Sequence, residues 1–215
     1  MKKFNTVIFD MDGTLLNTLD DLTISVNYIM KKKGFPPRSI EEVKDMVGNG
    51  VSRLLQSALP DAKKTPDFEQ LLNEYITHYK ANMYNHTAPY PGIMELLSTL
   101  SSQGCKLAVV SNKMDKAVRE LNQKYFQDYI KIAIGESAGI QRKPAPDTVF
   151  EAIRELGAST EQAVYVGDSE VDIQTAANAG LTSIGVTWGF RDKPVLQEAG
   201  ADYIIDSPED LLCIL

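Results

Sequence analysis

From Tyr90 to the end of the chain, short apolar runs alternate with segments of helical periodicity, the pattern of a parallel sheet covered by helices on both faces. The runs are Lys106–Val110, Ile130–Ile134, Ala163–Val166, Ser183–Val186 and Tyr203–Ile205. Helical spacing is carried between them by Ile93, Leu96, Leu97 and Leu100, and again through Val118 and Leu121. A further run, Val7-Ile8-Phe9, stands apart at the start. What separates it from the rest is helical throughout. Leu15, Leu19, Leu22, Val26 and Ile29 predict a first helix that stops at Lys31-Lys32-Lys33-Gly34. Ser39 caps a second (Ile40, Val43, Met46, Val47), and Gly48-Asn49-Gly50 breaks it before a third (Val51, Leu54, Leu55, Ala58). A fourth runs from about Asp67 through Phe68, Leu71, Leu72, Tyr75, Ile76 and Tyr79. The expected architecture is α/β: a Rossmann-like parallel sheet core built from residues 1–15 and 88–215, with an all-helical cap, 16–87, inserted after the first strand.

Composition narrows the class. The chain has 215 residues and a formal net charge of −7, which argues against nucleic acid as a partner, because phosphate backbones attract basic surfaces. No apolar run approaches the roughly 18 residues of a membrane span, and Met1-Lys2-Lys3 leads directly into a strand rather than into a leader peptide. Cys105 and Cys213 lack metal-ligand spacing and read as reduced packing residues. These features predict a cytoplasmic protein with no membrane partner, a monomer or homodimer.

Ligands of open α/β sheets sit beyond the carboxyl ends of the strands, and polar residues gather there. The first strand ends in Asp10 and Asp12, the second in Ser111-Asn112, and the run from Ala163 in Gly167-Asp168-Ser169. The loop after Ile134 leads to Arg142-Lys143-Pro144. Asp10 and Asp12, two residues apart on a strand, leave it toward the same side. Two carboxylates that close call for a cation between them or a proton on one. That pairing suits chemistry in which one carboxylate attacks, its neighbour moves protons, and a divalent metal neutralises the site.

These segments resemble, in order, the signature motifs of the haloacid dehalogenase superfamily: Asp10-Met11-Asp12-Gly13-Thr14, then Ser111, then Lys143, then Gly167-Asp168-Ser169-Glu170-Val171-Asp172. The resemblance implies a Mg²⁺-dependent phosphatase acting on a small phosphate ester. Asp10 would be the nucleophile, forming an aspartyl-phosphate, and Asp12 the acid and base. Mg²⁺ would be held by Asp10 and Asp168 through their side chains and by Asp12 through its carbonyl. Asp172 would join the metal site, directly or by orienting water or Lys143. Ser111 and Lys143 would hold the phosphoryl oxygens, with Asn112 and the N–H groups around Met11 adding donors. Thr14 is a further substrate-binding candidate, or a cap for the helix that follows.

The inserted helices read as a lid, whose substrate-facing element is Gly48-Asn49-Gly50 with Arg53 one turn into the next helix. Met46–Leu55, Val186–Arg191 and Ala199–Asp202 look like the corresponding segments of phosphoglycolate phosphatases, implying 2-phosphoglycolate as substrate. Pyrophosphatases and broad-specificity sugar-phosphate phosphatases grade into that group. A β-phosphoglucomutase relative would carry a histidine in the first cap helix, whereas the two histidines here are His78 and His86. A carbon-attacking dehalogenase would not need Asp12, and a phosphonate hydrolase would want a cap lysine for a Schiff base, whereas Lys31–Lys33 form a solvated helix end. A catalytically idle binding module would lack one of the carboxylates, and each is present.

Overall fold

The computed structural model describes residues 4–60 and 66–215. Met1-Lys2-Lys3, read above as leading into the first strand, lie outside the described residues. The contact pattern divides the chain into two units, the segment ending at Leu16 together with Pro89–Leu215, and Asn17–Ala88.

Along the chain the strands are β1 (Thr6–Phe9), β2 (Leu16–Asn17), β3 (Ala88–Pro89), β4 (Lys106–Met114), β5 (Ile132–Glu136), β6 (Ala163–Gly167), β7 (Thr182–Val186) and β8 (Tyr203–Ile205). The helices are α1 (Leu19–Lys32), α2 (Ile40–Met46), α3 (Val51–Ala58) and α4 (Phe68–Asn82), then α5 (Ile93–Ser102), α6 (Asp115–Tyr125), α7 (Asp147–Leu156), α8 (Glu170–Ala179) and α9 (Lys193–Glu198).

The larger unit is a six-stranded sheet in the order β5-β4-β1-β6-β7-β8, parallel throughout. Ignoring the two-residue strands, this is the 3-2-1-4-5-6 order of the doubly wound Rossmann sheet. β1 lies at its centre, with Thr6 opposite Lys106 on one side and Ala163 on the other. Ile8, Ala108, Val110, Ile134 and Tyr165 turn to one face and pack with Val149 and Ala152 of α7 and Ala176 and Ala179 of α8. The alternate residues Val7, Phe9, Leu107, Val109, Val164 and Val166 are buried as well. Burial of both faces is why these strands read as unbroken apolar runs. The order reverses between β1 and β6, and ligands of such sheets bind at that reversal, past the strand ends.

Three elements differ from the sequence reading. Leu15 and Leu16 belong to no helix, because a turn closes on Met11, whose carbonyl accepts from the N–H groups of Leu15 (3.0 Å) and Leu16 (2.9 Å). Gly13, at φ +85°, makes that turn, and Leu16–Asn17 then pairs with Ala88–Pro89 as a two-stranded ribbon. The stretch read as purely helical therefore opens with a strand residue. β4 continues past Val110 to Met114 through a register shift. β5 begins at Ile132, because the Ile130 N–H closes a turn on the Phe126 carbonyl.

In the helical unit α1 packs on α2 and α4, and α3 on α2 and α4. Tyr75 and Tyr79 of α4 are buried. α2 begins with a full capping box: the Glu42 N–H donates to Ser39 Oγ (3.1 Å), and the Ser39 N–H to Glu42 Oε2 (2.8 Å). Asp21 is buried near the start of α1. Its carboxylate accepts the N–H groups of His86 (3.1 Å) and Thr87 (2.9 Å) and the Thr87 hydroxyl (2.8 Å). Among the described residues, no helix is long and apolar enough to cross a membrane.

Candidate active site

β1 delivers Asp10 directly after its last buried residue, and the Asp10 N–H still donates to the Val166 carbonyl of β6 (2.9 Å). The carboxylate thus emerges at the point where the strand order reverses. Lys143 Nζ lies 2.9 Å from Asp10 Oδ1 and 2.7 Å from Asp172 Oδ1, and donates to the Tyr165 hydroxyl at 3.0 Å. Its side chain is only 3% exposed, so the ammonium is committed to this cluster.

Two further carboxylates are placed by the first turn of α8 and the strand before it. Asp172 Oδ2 accepts the Ser169 N–H (3.1 Å) and hydroxyl (2.6 Å), so both its oxygens are engaged. Asp168 Oδ1 accepts from the Thr14 hydroxyl (3.2 Å) and Oδ2 from the Phe190 N–H (2.7 Å). One oxygen each from Asp10, Asp168 and Asp172 lie within 4.8 Å of one another.

The electrostatics follow from burying more negative than positive charge. Asp10 is raised to about 7, by burial first, against the pull of Lys143 and with a further push from Asp172 and Asp12. Asp168 is held well above the usual carboxylate range by burial first and by Asp172 and Asp10 next. Burial alone would lower Lys143, but Asp10 and Asp172 hold it well above its ordinary value. Three carboxylates against one ammonium leave room for a divalent cation, and a donor set of hard oxygens suits Mg²⁺.

Asp12 stands at the rim, with its side chain 13% exposed, and Lys113 Nζ meets both its oxygens at 2.9 and 3.1 Å. Ser111 is buried and its Oγ accepts the Lys113 N–H (3.3 Å). Asn112, a candidate donor toward a phosphoryl group, donates from Nδ2 to the Lys143 carbonyl (3.0 Å) and ties that loop to β4. Thr14 caps no helix, since α1 begins at Leu19; it supports Asp168. Gly48, Asn49, Gly50 and Arg53 lie in the helical unit. Gly48 and Gly50 adopt φ +118° and +81°, and Arg53 is exposed on α3.

Sequence reasoning missed Lys113 and Tyr165, and it singled out Val186–Arg191, which holds the loop after β7, as a family likeness without its contacts to Asp168. In that loop Trp188 Nε1 donates to the Thr14 carbonyl (3.0 Å). Gly189 passes so close to Asp168 that a Cβ there would lie 2.3 Å from the Asp168 Cβ. Lys113 was detectable in principle, because it follows Ser111-Asn112 at the same strand end. The Asp168 contacts of the β7 loop had no local signal.

Comparison with known proteins agrees with this geometry. The profile of the haloacid dehalogenase-like hydrolase family matches residues 7–186. A phosphoglycolate phosphatase of Agrobacterium fabrum is 36% identical over 208 residues, covering 93% of this chain and 87% of the relative. One from Caulobacter vibrioides is 34% identical over 206 residues, covering 94% and 86%. A crystal structure from Lactobacillus delbrueckii subsp. bulgaricus superposes with a TM-score of 0.93 at 38% identity, covering 99% of each chain.

Proposed function

The chain belongs to the haloacid dehalogenase-like hydrolase family, and from that premise we propose a Mg²⁺-dependent phosphomonoesterase whose substrate is a small anionic ester, 2-phosphoglycolate foremost. The observation that carries this is the buried Asp10 carboxylate, 2.9 Å from Lys143 and grouped with Asp168 and Asp172 at the sheet reversal.

In this reading Asp10 attacks phosphorus, the bond to the leaving oxygen breaks, and an aspartyl-phosphate forms. Asp12 supplies the proton that the leaving oxygen takes. Water then adds to phosphorus and loses a proton to Asp12, and the bond to Asp10 breaks, releasing phosphate. Lys143, its orientation fixed by Asp172 and Tyr165, and Ser111 offer donors to the phosphoryl oxygens, where charge concentrates in the transition state. Mg²⁺, held by the side chains of Asp10 and Asp168 and the carbonyl of Asp12, would offset the negative charge of carboxylates and phosphate together. Asp172, with both oxygens engaged, serves Lys143 rather than the ion.

The helical unit acts as a lid in this proposal. The positive-φ glycines Gly48 and Gly50 bracket the turn that precedes α3, where a helix N-terminus favours an anion, and with Asn49 and Arg53 they would meet the substrate's carboxylate. The names of the curated relatives support phosphoglycolate as the ester.

The test is phosphate release from 2-phosphoglycolate, sugar phosphates, p-nitrophenyl phosphate and pyrophosphate, with Mg²⁺ or with EDTA, ranked by kcat/KM. We expect Mg²⁺-dependent turnover with 2-phosphoglycolate first, and none from a folded Asp10→Asn variant, because an amide cannot attack phosphorus. Pyrophosphate or a hexose phosphate leading the ranking would move the substrate. No Mg²⁺-dependent release from any ester would refute the enzyme reading in favour of a binding module.

A further inference from the structure

The reaction above gives Lys113 no task, yet its placement is specific. It leaves β4 two residues past Ser111, whose Oγ accepts its N–H (3.3 Å), and its side chain is only 5% exposed. Its ammonium spans the Asp12 carboxylate, 2.9 Å from one oxygen and 3.1 Å from the other. A carboxylate gripped edge-on by one buried donor has a set direction, whereas a rim aspartate lacking that grip is drawn toward water.

We infer that Lys113 is a positioning residue for Asp12, holding its carboxylate where it takes the proton of the water that cleaves the phosphorylated Asp10. The inference rests on the acid–base role proposed above for Asp12. In the step concerned, the water oxygen bonds to phosphorus and one water proton passes to an Asp12 oxygen. The phosphorus–oxygen bond to Asp10 breaks, its electron pair returns to the Asp10 carboxylate, and inorganic phosphate leaves. Lys113 exchanges no proton and touches no reacting atom in this scheme. Its removal should therefore slow hydrolysis of the phosphoenzyme selectively. Formation from an aryl ester, whose leaving oxygen needs little proton donation, should continue.

The experiment is rapid-mixing kinetics of the full chain with p-nitrophenyl phosphate and Mg²⁺. Nitrophenolate reports phosphoenzyme formation and inorganic phosphate reports its decay. For Lys113→Met we expect decay slowed about tenfold to a hundredfold, the size of effect that misplacing a catalytic group produces. Formation should stay near the wild-type rate, so a nitrophenolate burst grows toward one per enzyme. Lys113→Gln should behave alike, which keeps the test intact if the methionine variant does not fold, and Lys113→Arg should recover part of the decay rate. A merely structural lysine would instead lower burst amplitude with the amount of active protein. Asp12→Asn is run in parallel. If it slows decay while the Met and Gln variants slow both phases equally, or neither, the inference fails and the role of Asp12 stands. If Asp12→Asn leaves decay unslowed, the role of Asp12 fails first and the inference with it.

Discussion

At Gly189 a single methyl group would reach 2.3 Å from both the Asp168 Cβ and the Gly13 carbonyl oxygen, distances that atoms do not tolerate. Gly189→Ala should therefore displace Asp168 while sparing the sheet, lowering Mg²⁺-dependent activity by roughly 10–100-fold, as loss of a metal ligand's support does. Steady-state kinetics across a Mg²⁺ titration, with circular dichroism to confirm the fold, checks it; unchanged kinetics would deny that this close approach matters. Residues of this kind separate what sequence reveals from what it hides. Asp10, Asp12, Ser111 and Asp168 were visible because each follows an apolar run, and a strand's end is a local property. Lys113 reaches Asp12 across 101 positions, and the Phe190 N–H reaches Asp168 across 22. No local pattern announces either contact.

Among the elements, the six strands of the main sheet were legible because burial on both faces writes them as continuous apolar runs. Their limits were less so. Leu15 fits the spacing of α1, but the turn on Met11 takes its backbone N–H first. β4 looked finished at Val110 because Ser111, Asn112 and Lys113 are polar, yet all three are buried, Asn112 and Lys113 with partners brought from elsewhere. Asp21 shows the same limit inside the helical unit, where it fastens the start of α1 to His86 and Thr87. An asparagine there presents an amide N–H₂ to donors and carries no charge. Asp21→Asn should destabilise the chain by about 1.5–3 kcal/mol, the worth of a hydrogen bond to a charged group. The urea midpoint measures this, and a midpoint equal to the wild type would show the clamp to be dispensable.

For the whole molecule, the raised Asp10 couples stability to pH. The folded chain keeps that proton to about 7, whereas an unfolded aspartate releases it near 4. Between those values the folded state binds more protons, so this site's contribution to stability falls as pH rises, by at most ~1.4 kcal/mol per pH unit. Metal-free wild type should show that decline against metal-free Asp10→Asn when denaturation midpoints are compared from pH 4 to 7. Mg²⁺ should flatten it, since the ion favours the ionised carboxylates; equal slopes in the two proteins would contradict the assignment. A second consequence arises from where β1 sits. Its neighbours begin about a hundred and about a hundred and sixty positions later in the chain, at Lys106 and Ala163. During synthesis the central strand therefore waits with both edges bare until β4 emerges, and with one edge bare until β6 follows. Asp10, whose N–H donates to the Val166 carbonyl, is not seated until β6 has been made.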